Sequence, residues 1–236
     1  MRTIKFHKGE CGVDFLLNVL NEIETDYTHQ ETYHKDFFEI LFFKKAKGRL
    51  ILGQEILSLS DNSIIFISAF QKHTWELDPE HLEFTTLIFQ EDFLNDFFSD
   101  KLFTYKLLYF YQLSYVPQII ADDTHMSKFL GLLAEIKLEL METQADSVHI
   151  IRSLLYYLLQ TLNRKYARLN MLPNQKAENN FAYQFKELME QFIREKQRVN
   201  EYATLMGISR ITLNQAVKAQ FNTTAAHLLR QRLLFE

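Results

Sequence analysis

Two groups of residues in this chain have types and spacings that suit chemistry. The first lies within 198–220, RVNEYATLMGISRITLNQAVKAQ. A helix over its second half, buried through Leu213, Ala216 and Val217, leaves Arg210, Ile211, Asn214, Gln215 and Lys218 outward, with Ser209 at its start. An arginine so placed suits guanine O6 and N7, and an asparagine or glutamine suits adenine. A lysine further along suits a phosphate. The plain alternative is a row of solvated side chains. The second group is His34, Glu39 and His73, with Trp75 close to the second histidine. Two imidazoles and a carboxylate suit a divalent transition metal if they converge; otherwise they suit the wall of a small-molecule pocket. His29 and His34 stand five residues apart rather than as a tight ligand pair.

The elements that must position the first group are two short helices at a tight turn. Such a unit needs a small residue where the helices cross and a residue tolerant of positive φ between them. Ala203 and Gly207 meet those needs, Tyr202, Met206, Ile208, Leu213 and Val217 supply a shared core, and Ser209 caps the second helix. Residues 181–196 form a further amphipathic helix, and 171–180 (MLPNQKAENN) reads as a linker.

Upstream, Asp122-Asp123-Thr124 caps a helix that runs to Met141, and a second helix starts at Asp146-Ser147. In it Val148, Ile151, Leu155, Leu158 and Leu162 step by 3, 4, 3 and 4, the seam of helices packed at a shallow angle. Leu154, Leu159, Phe129, Leu130, Leu132, Leu133 and Ile136 widen the stripe beyond one face. A homodimer through helices 124–168 is therefore expected, the alternative being a helix pair covered by the chain's own strands.

The second group falls among β signals. Runs 37–43 (FFEILFF), 49–52, 64–67 and 84–89 are aromatic and β-branched, and turn residues separate them at 45–48, 60–62 and 78–79. Close spacing without long helices predicts a sandwich or small barrel over 1–117, closed by a short amphipathic helix at 91–100. The aromatic stretch 103–115 is expected to pack between strands and helices.

Composition narrows the function classes. With 47% hydrophobic and 24% charged residues over 236 positions, the chain is an ordinary globular protein and not a disordered or collagen-like one. A single cysteine, Cys11, permits no internal disulfide and suits a reducing compartment. No apolar run is long enough for a bilayer and the N-terminus has no signal-peptide core, so a cytoplasmic protein without a membrane partner is expected. No Gly-rich phosphate loop, GxSxG elbow or CxxC pair occurs. Residues 176–236 carry nine Lys and Arg against six Asp and Glu, a net of +3, which leaves −7 on 1–175. An acidic body with a basic C-terminal segment fits a regulator whose tail meets phosphate.

At this point the run 199–236 resembles the first half of the DNA-binding domain of AraC-type bacterial transcription regulators. The matching positions are Ala203, Gly207, Ser209, Leu213 and Phe221, then Thr224 opening a helix with a leucine–arginine stripe over 228–234. Asn222 stands where the family has glycine, and Ala225 where proline is frequent. The resemblance implies an α+β fold: a cupin-like β-barrel (1–117), a helical dimerisation element (118–170), a linker (171–180) and an all-α helix-turn-helix segment (181–236). It implies a regulator that binds double-stranded operator DNA through Ser209, Arg210, Ile211, Asn214, Gln215 and Lys218. A small-molecule effector would sit in the barrel near His34, Glu39, His73 and Trp75. RNA polymerase is an expected partner, no cofactor is expected, and enzymatic activity is not. The rivals are a cupin-fold metalloenzyme, against which stands the missing His-x-His, and a ligand-binding dimer without productive DNA binding. Family members join two helix-turn-helix units by one long helix. The chain ends at Glu236 inside that helix, so a longer natural frame and weak DNA affinity for the 236-residue chain are expected.

Overall fold

The computed structural model describes residues 2–4, 17–20, 33–35, 37–53, 55–90, 103–111, 115–172, 181–221 and 223–234. Cys11, His29, the helix expected at 91–100, most of the linker at 171–180 and Asn222 lie outside the described residues. The chain is α+β. Eight strands, β1 (Arg2–Ile4), β2 (Leu17–Leu20), β3 (Tyr33–Lys35), β4 (Phe38–Leu52), β5 (Glu55–Leu59), β6 (Ser63–Ile67), β7 (His73–Phe89) and β8 (Gln118–Ile120), form one sheet. Its order is β1-β3-β7-β4-β6-β8, with β2 on β7 and β5 on β4. The pairing is antiparallel apart from β1 on β3. The seven helices among the described residues are α1 (Leu108–Tyr111), α2 (Asp123–Met141), α3 (Ser147–Leu169), α4 (Phe181–Phe192), α5 (Val199–Leu205), α6 (Arg210–Phe221) and α7 (Ala225–Leu234).

The turns expected at 45–48 and 78–79 are not turns. β4 and β7 run through them, and the register slips between Phe43 and Lys45 and between Ala46 and Gly48. Opposite, Gly48 pairs with Leu77 and Ala46 with Leu82, so residues 78–81 bulge out of the ladder. Pro79, with no N–H to offer, is tolerated in such a bulge. Gly48 has φ of 141°, and a Cβ there would lie 2.2 Å from the Glu76 carbonyl oxygen. The glycine lets two backbones approach, and the residues that looked like turns bend a continuous hairpin.

That bend folds the sheet over itself. Phe38, Ile40, Phe42, Phe66 and Leu87 face the helices, whereas Leu41, Phe43, Leu50, Ile65, Trp75 and Phe84 form a second cluster on the inner face. Both faces of 37–43 are buried, which explains an apolar run broken only by Glu39. The expected closed barrel is an open sheet: among the described residues β1 and β8 do not pair. β8 feeds directly into α2, where the Asp122 carboxylate accepts the His125 N–H at 2.9 Å, so that edge is committed to the helical layer.

In α3, Ile151, Leu155, Leu158 and Leu162 are fully buried, as the seam predicts. Of the extra apolar residues, Phe129, Leu133, Ile136 and Leu159 are buried within the chain, and Leu130, Leu132 and Leu154 are partly covered. Phe129 lies against Phe42 with ring centroids 6.2 Å apart, and the Leu159 carbonyl accepts the Tyr109 hydroxyl at 3.3 Å. Tyr109 also stacks on Phe66 at 4.1 Å, which sets the aromatic stretch between strands and helices. No helix among the described residues is long and apolar enough to cross a membrane.

Candidate nucleic-acid interface and buried sheet site

The α5–α6 junction is built by the residues that the sequence singles out. Gly207 has φ of 65°, a left-handed conformation that glycine adopts without steric cost. It lets the Gly207 and Ile208 N–H groups turn back onto the Thr204 and Ala203 carbonyls at 3.1 and 3.0 Å. The Ser209 hydroxyl accepts the Thr212 N–H at 3.0 Å and so caps α6. Tyr202, Leu213 and Val217 are fully buried and Ala203 nearly so. The Tyr202 hydroxyl donates to the Lys196 carbonyl at 2.6 Å, and burial pushes its pKa up to about 12.

With the inner face so fixed, Ser209, Arg210, Ile211, Gln215 and Lys218 are exposed on one side, Ile211 to 71%. Asn214 is half-buried, and its Oδ1 accepts the Ala225 N–H at 3.2 Å. The residue expected to read a base therefore also closes the N-terminus of α7. Sequence reasoning missed Arg198 and Arg230, which share a cleft of about 420 Å³ with Arg210. It also missed the Glu190–Arg232 pair, a two-pronged carboxylate–guanidinium contact (3.0 and 3.2 Å) that ties α4 to α7.

The second group is positioned by strand alternation. Glu39 shares the inner face with Leu41 and Phe43, and His73 shares it with Trp75. The three are brought to one side of the sheet and are essentially solvent-free. The His73 Nδ1 lies 3.0 Å from the Gln71 carbonyl, and its ring meets Trp75 edge-on at 6.0 Å. Trp75 packs against Phe43 at 5.8 Å. His34 lies in β3, and its side chain is outside the described residues. β3 links the other members: Tyr33 is in register with His73, and Lys35 donates to Glu39 Oε1 at 2.9 Å. Lys35 is 3% exposed and Glu39 0%, so this ion pair is desolvated on both sides. A lysine two residues before an apolar run gave no sign of that in the sequence. Among the described residues no three His, Cys, Asp or Glu gather as a metal-ligand set.

Polar and aromatic contacts join α1 and the sheet to the C-terminal helices. The Gln220 amide donates to the Tyr111 carbonyl at 2.8 Å, and the Phe221 ring meets Tyr111 at 5.4 Å and Tyr183 at 5.8 Å. Phe70, with φ of 63°, donates its N–H to the Lys35 carbonyl at 2.7 Å and sets its ring 5.0 Å from His227. Burial first, and Arg230 second, hold the His227 imidazole below its usual pKa. A short path of contacts therefore runs from the Lys35–Glu39 pair to α7.

No protein-family model and no curated protein matches the chain. Among solved structures, it is similar to the AraC-like transcriptional activator CuxR, at 13% identity over 85% of this chain and 67% of that one, with a TM-score of 0.41. It is similar to an apo variant of ToxT from Vibrio cholerae, at 10% identity over 92% and 97% of the chains, with a TM-score of 0.39. Wild-type ToxT with an unsaturated fatty acid bound aligns at 12% identity over 91% and 94%, with a TM-score of 0.38. The structural neighbours named above include an AraC-like transcriptional activator.

Proposed function

We propose that the chain is a sequence-specific DNA-binding transcription regulator of the AraC type, responsive to a small molecule. The observation that carries this reading is the α5–α6 unit: a left-handed Gly207, a Ser209 cap, a buried Leu213–Val217 face and a polar outer face in one arrangement. A helix so mounted stands clear of its own protein and fits the major groove. Ser209, Arg210, Ile211, Asn214, Gln215 and Lys218 then meet base edges and the flanking phosphates. The chain divides into a cupin-like sensing unit (1–117), helices that pair two copies (118–170), a linker (171–180) and the reader (181–236). The exposed Leu138, Met141 and Ile150 support pairing through helices 124–168. RNA polymerase is the expected downstream partner.

The effector would bind on the inner face of the sheet, with Glu39, His73, Trp75 and His34 as its wall. Occupancy there alters the packing of Lys35 and Phe70, and through Phe70 and His227 the seating of the reader. A ligand acts only by preferring one of the two seatings. The test is selection of random duplexes by the full chain, followed by anisotropy titration of the recovered sequence and its scramble. A recovered motif bound in preference to its scramble is expected, and equal binding of the two refutes the reading. Trp75 is the sole tryptophan, so its fluorescence reports on the inner face directly. A compound that quenches it and leaves operator affinity unchanged refutes the regulatory step.

A further inference from the structure

Beside the outer face of α6 lies a cleft with a one-sided chemistry. Its floor is apolar: Val199 at the start of α5, and Leu229 and Leu233 of α7. Its rim carries Arg198, Arg210 and Arg230, with Gln197 and Asn200 between them. These arginines come from three different elements, and all three are exposed. Among the described residues no acidic side chain lines the cleft. The nearest acid along the chain, Glu201, turns its Oε2 to the backbone N–H groups of Gln197 and Arg198, which it accepts at 3.1 and 2.8 Å. Three guanidiniums hold only donors, about fifteen N–H groups in the usual count of about five each, and among the described residues the rim offers no carboxylate to receive them. Such a cleft is complementary to a tetrahedral anion with several oxygen acceptors.

We propose that Arg198, Arg210 and Arg230 form a phosphate clamp that grips the duplex backbone beside the groove entered by α6. The proposal rests on the DNA-binding reading above and sharpens it. Arg210, the first residue of α6, sits on the cleft rim, so its guanidinium serves the backbone and not a guanine edge. Base discrimination is then left to Ile211, Asn214 and Gln215. A clamp of this kind fixes register and orientation while carrying no sequence information.

The experiment compares the full chain with Arg198→Ala, Arg210→Ala and Arg230→Ala by anisotropy on the selected duplex and its scramble, over 0.05–0.3 M salt (roughly the range in which such slopes are read). Each phosphate contact contributes about 0.9 to the slope of log affinity against log salt. Each variant should therefore lower that slope by about one, weaken binding about eightfold at about 0.1 M salt relative to the extrapolation to about 1 M, and do so equally on both duplexes. Lys47→Ala, on an exposed lysine of the sheet, controls for net charge and should leave the slope alone. Urea midpoints for each variant separate lost contacts from lost folding. Wild-type binding with an unchanged slope in all three variants overturns the clamp and leaves the DNA reading standing. A loss confined to the selected duplex in Arg210→Ala overturns its assignment to the backbone. Saturable binding of inorganic phosphate that depends on these arginines, with the DNA slope unchanged, overturns the duplex as the source of the anion. Absence of any duplex binding by the wild-type chain overturns both readings together.

Discussion

Asn214 is asked to do two things, and a pair of substitutions separates them. Its Oδ1 accepts the N–H of Ala225, the first residue of α7 and a fully buried one. The first N–H groups of a helix have no partner within it. Thr224 serves the third of them through its hydroxyl, at 3.2 Å to the His227 N–H, so the first depends on Asn214. Asn214→Ala removes that acceptor from beside a buried donor. The penalty for an unsatisfied buried N–H is about 1–3 kcal/mol, and partial water entry past a half-exposed side chain places it at the lower end, about 1–2 kcal/mol. Asn214→Asp keeps an acceptor and adds a negative charge near a helix N-terminus, which is neutral or favourable by about 0.3–1 kcal/mol. In urea unfolding the stability order should be Asp ≥ Asn > Ala. In anisotropy on the selected duplex the order should be Asn > Ala > Asp, because the amide is lost in both variants and the carboxylate also faces phosphate. The two orders differ only if Asn214 both braces α7 and contacts DNA. Equal destabilisation by Ala and Asp would refute the bracing role, and wild-type affinity in Asn214→Ala would refute the DNA role.

Other expectations follow from the same geometry. Gly48→Ala places a Cβ against the Glu76 carbonyl in a backbone region closed to L side chains, and should cost about 3 kcal/mol or more, read as a lowered urea midpoint or loss of folded protein. Leu213→Ala empties a fully buried site shared by α5 and α6, and should cost about 2–5 kcal/mol and abolish DNA binding before the sheet unfolds, followed by Trp75 emission. His227 is held neutral by burial and by Arg230, so its folded pKa lies below its unfolded one; stability from this group is full above about pH 6.5 and falls as acid protonates it. His227→Gln should flatten the dependence of unfolding midpoint on pH between about 5 and 7, and an unaltered profile would show that the imidazole does not titrate against Phe70.

The helical half was legible because helix periodicity and capping are local. Asp122, Ser147, Gly207 and Ser209 announced boundaries that the structure keeps, since each acts on backbone groups within a few residues. The sheet was less legible because turn-forming residues at 45–48 and 78–79 have two outcomes, reversal or bulge, and the choice depends on a partner strand some thirty residues away. The inner-face grouping of Glu39, His73 and Trp75 follows from alternation once the strands are paired. Lys35 became part of that group only through a close approach that no sequence period encodes. Arg198, Arg210 and Arg230 meet for the same kind of reason: their cleft exists only where α5, α6 and α7 converge. The doubly apolar surface of α2 and α3 was legible as a demand for cover, but much of that cover is supplied by Phe42 and Tyr109 of the same chain.

The Tyr111–Gln220–Phe221–Tyr183 contact makes the proposed reader a poor candidate for a transplantable cassette. An aromatic ring from one half and a glutamine from the other share a single largely buried patch, so a cut at the linker exposes Phe221 and strands the Gln220 amide. A chimera that joins this reader to a foreign sensor would have to import the α1 segment with it, or replace Gln220 and Phe221 by residues content in water. Any lineage that exchanged sensors while keeping this reader would be expected to change the two positions together.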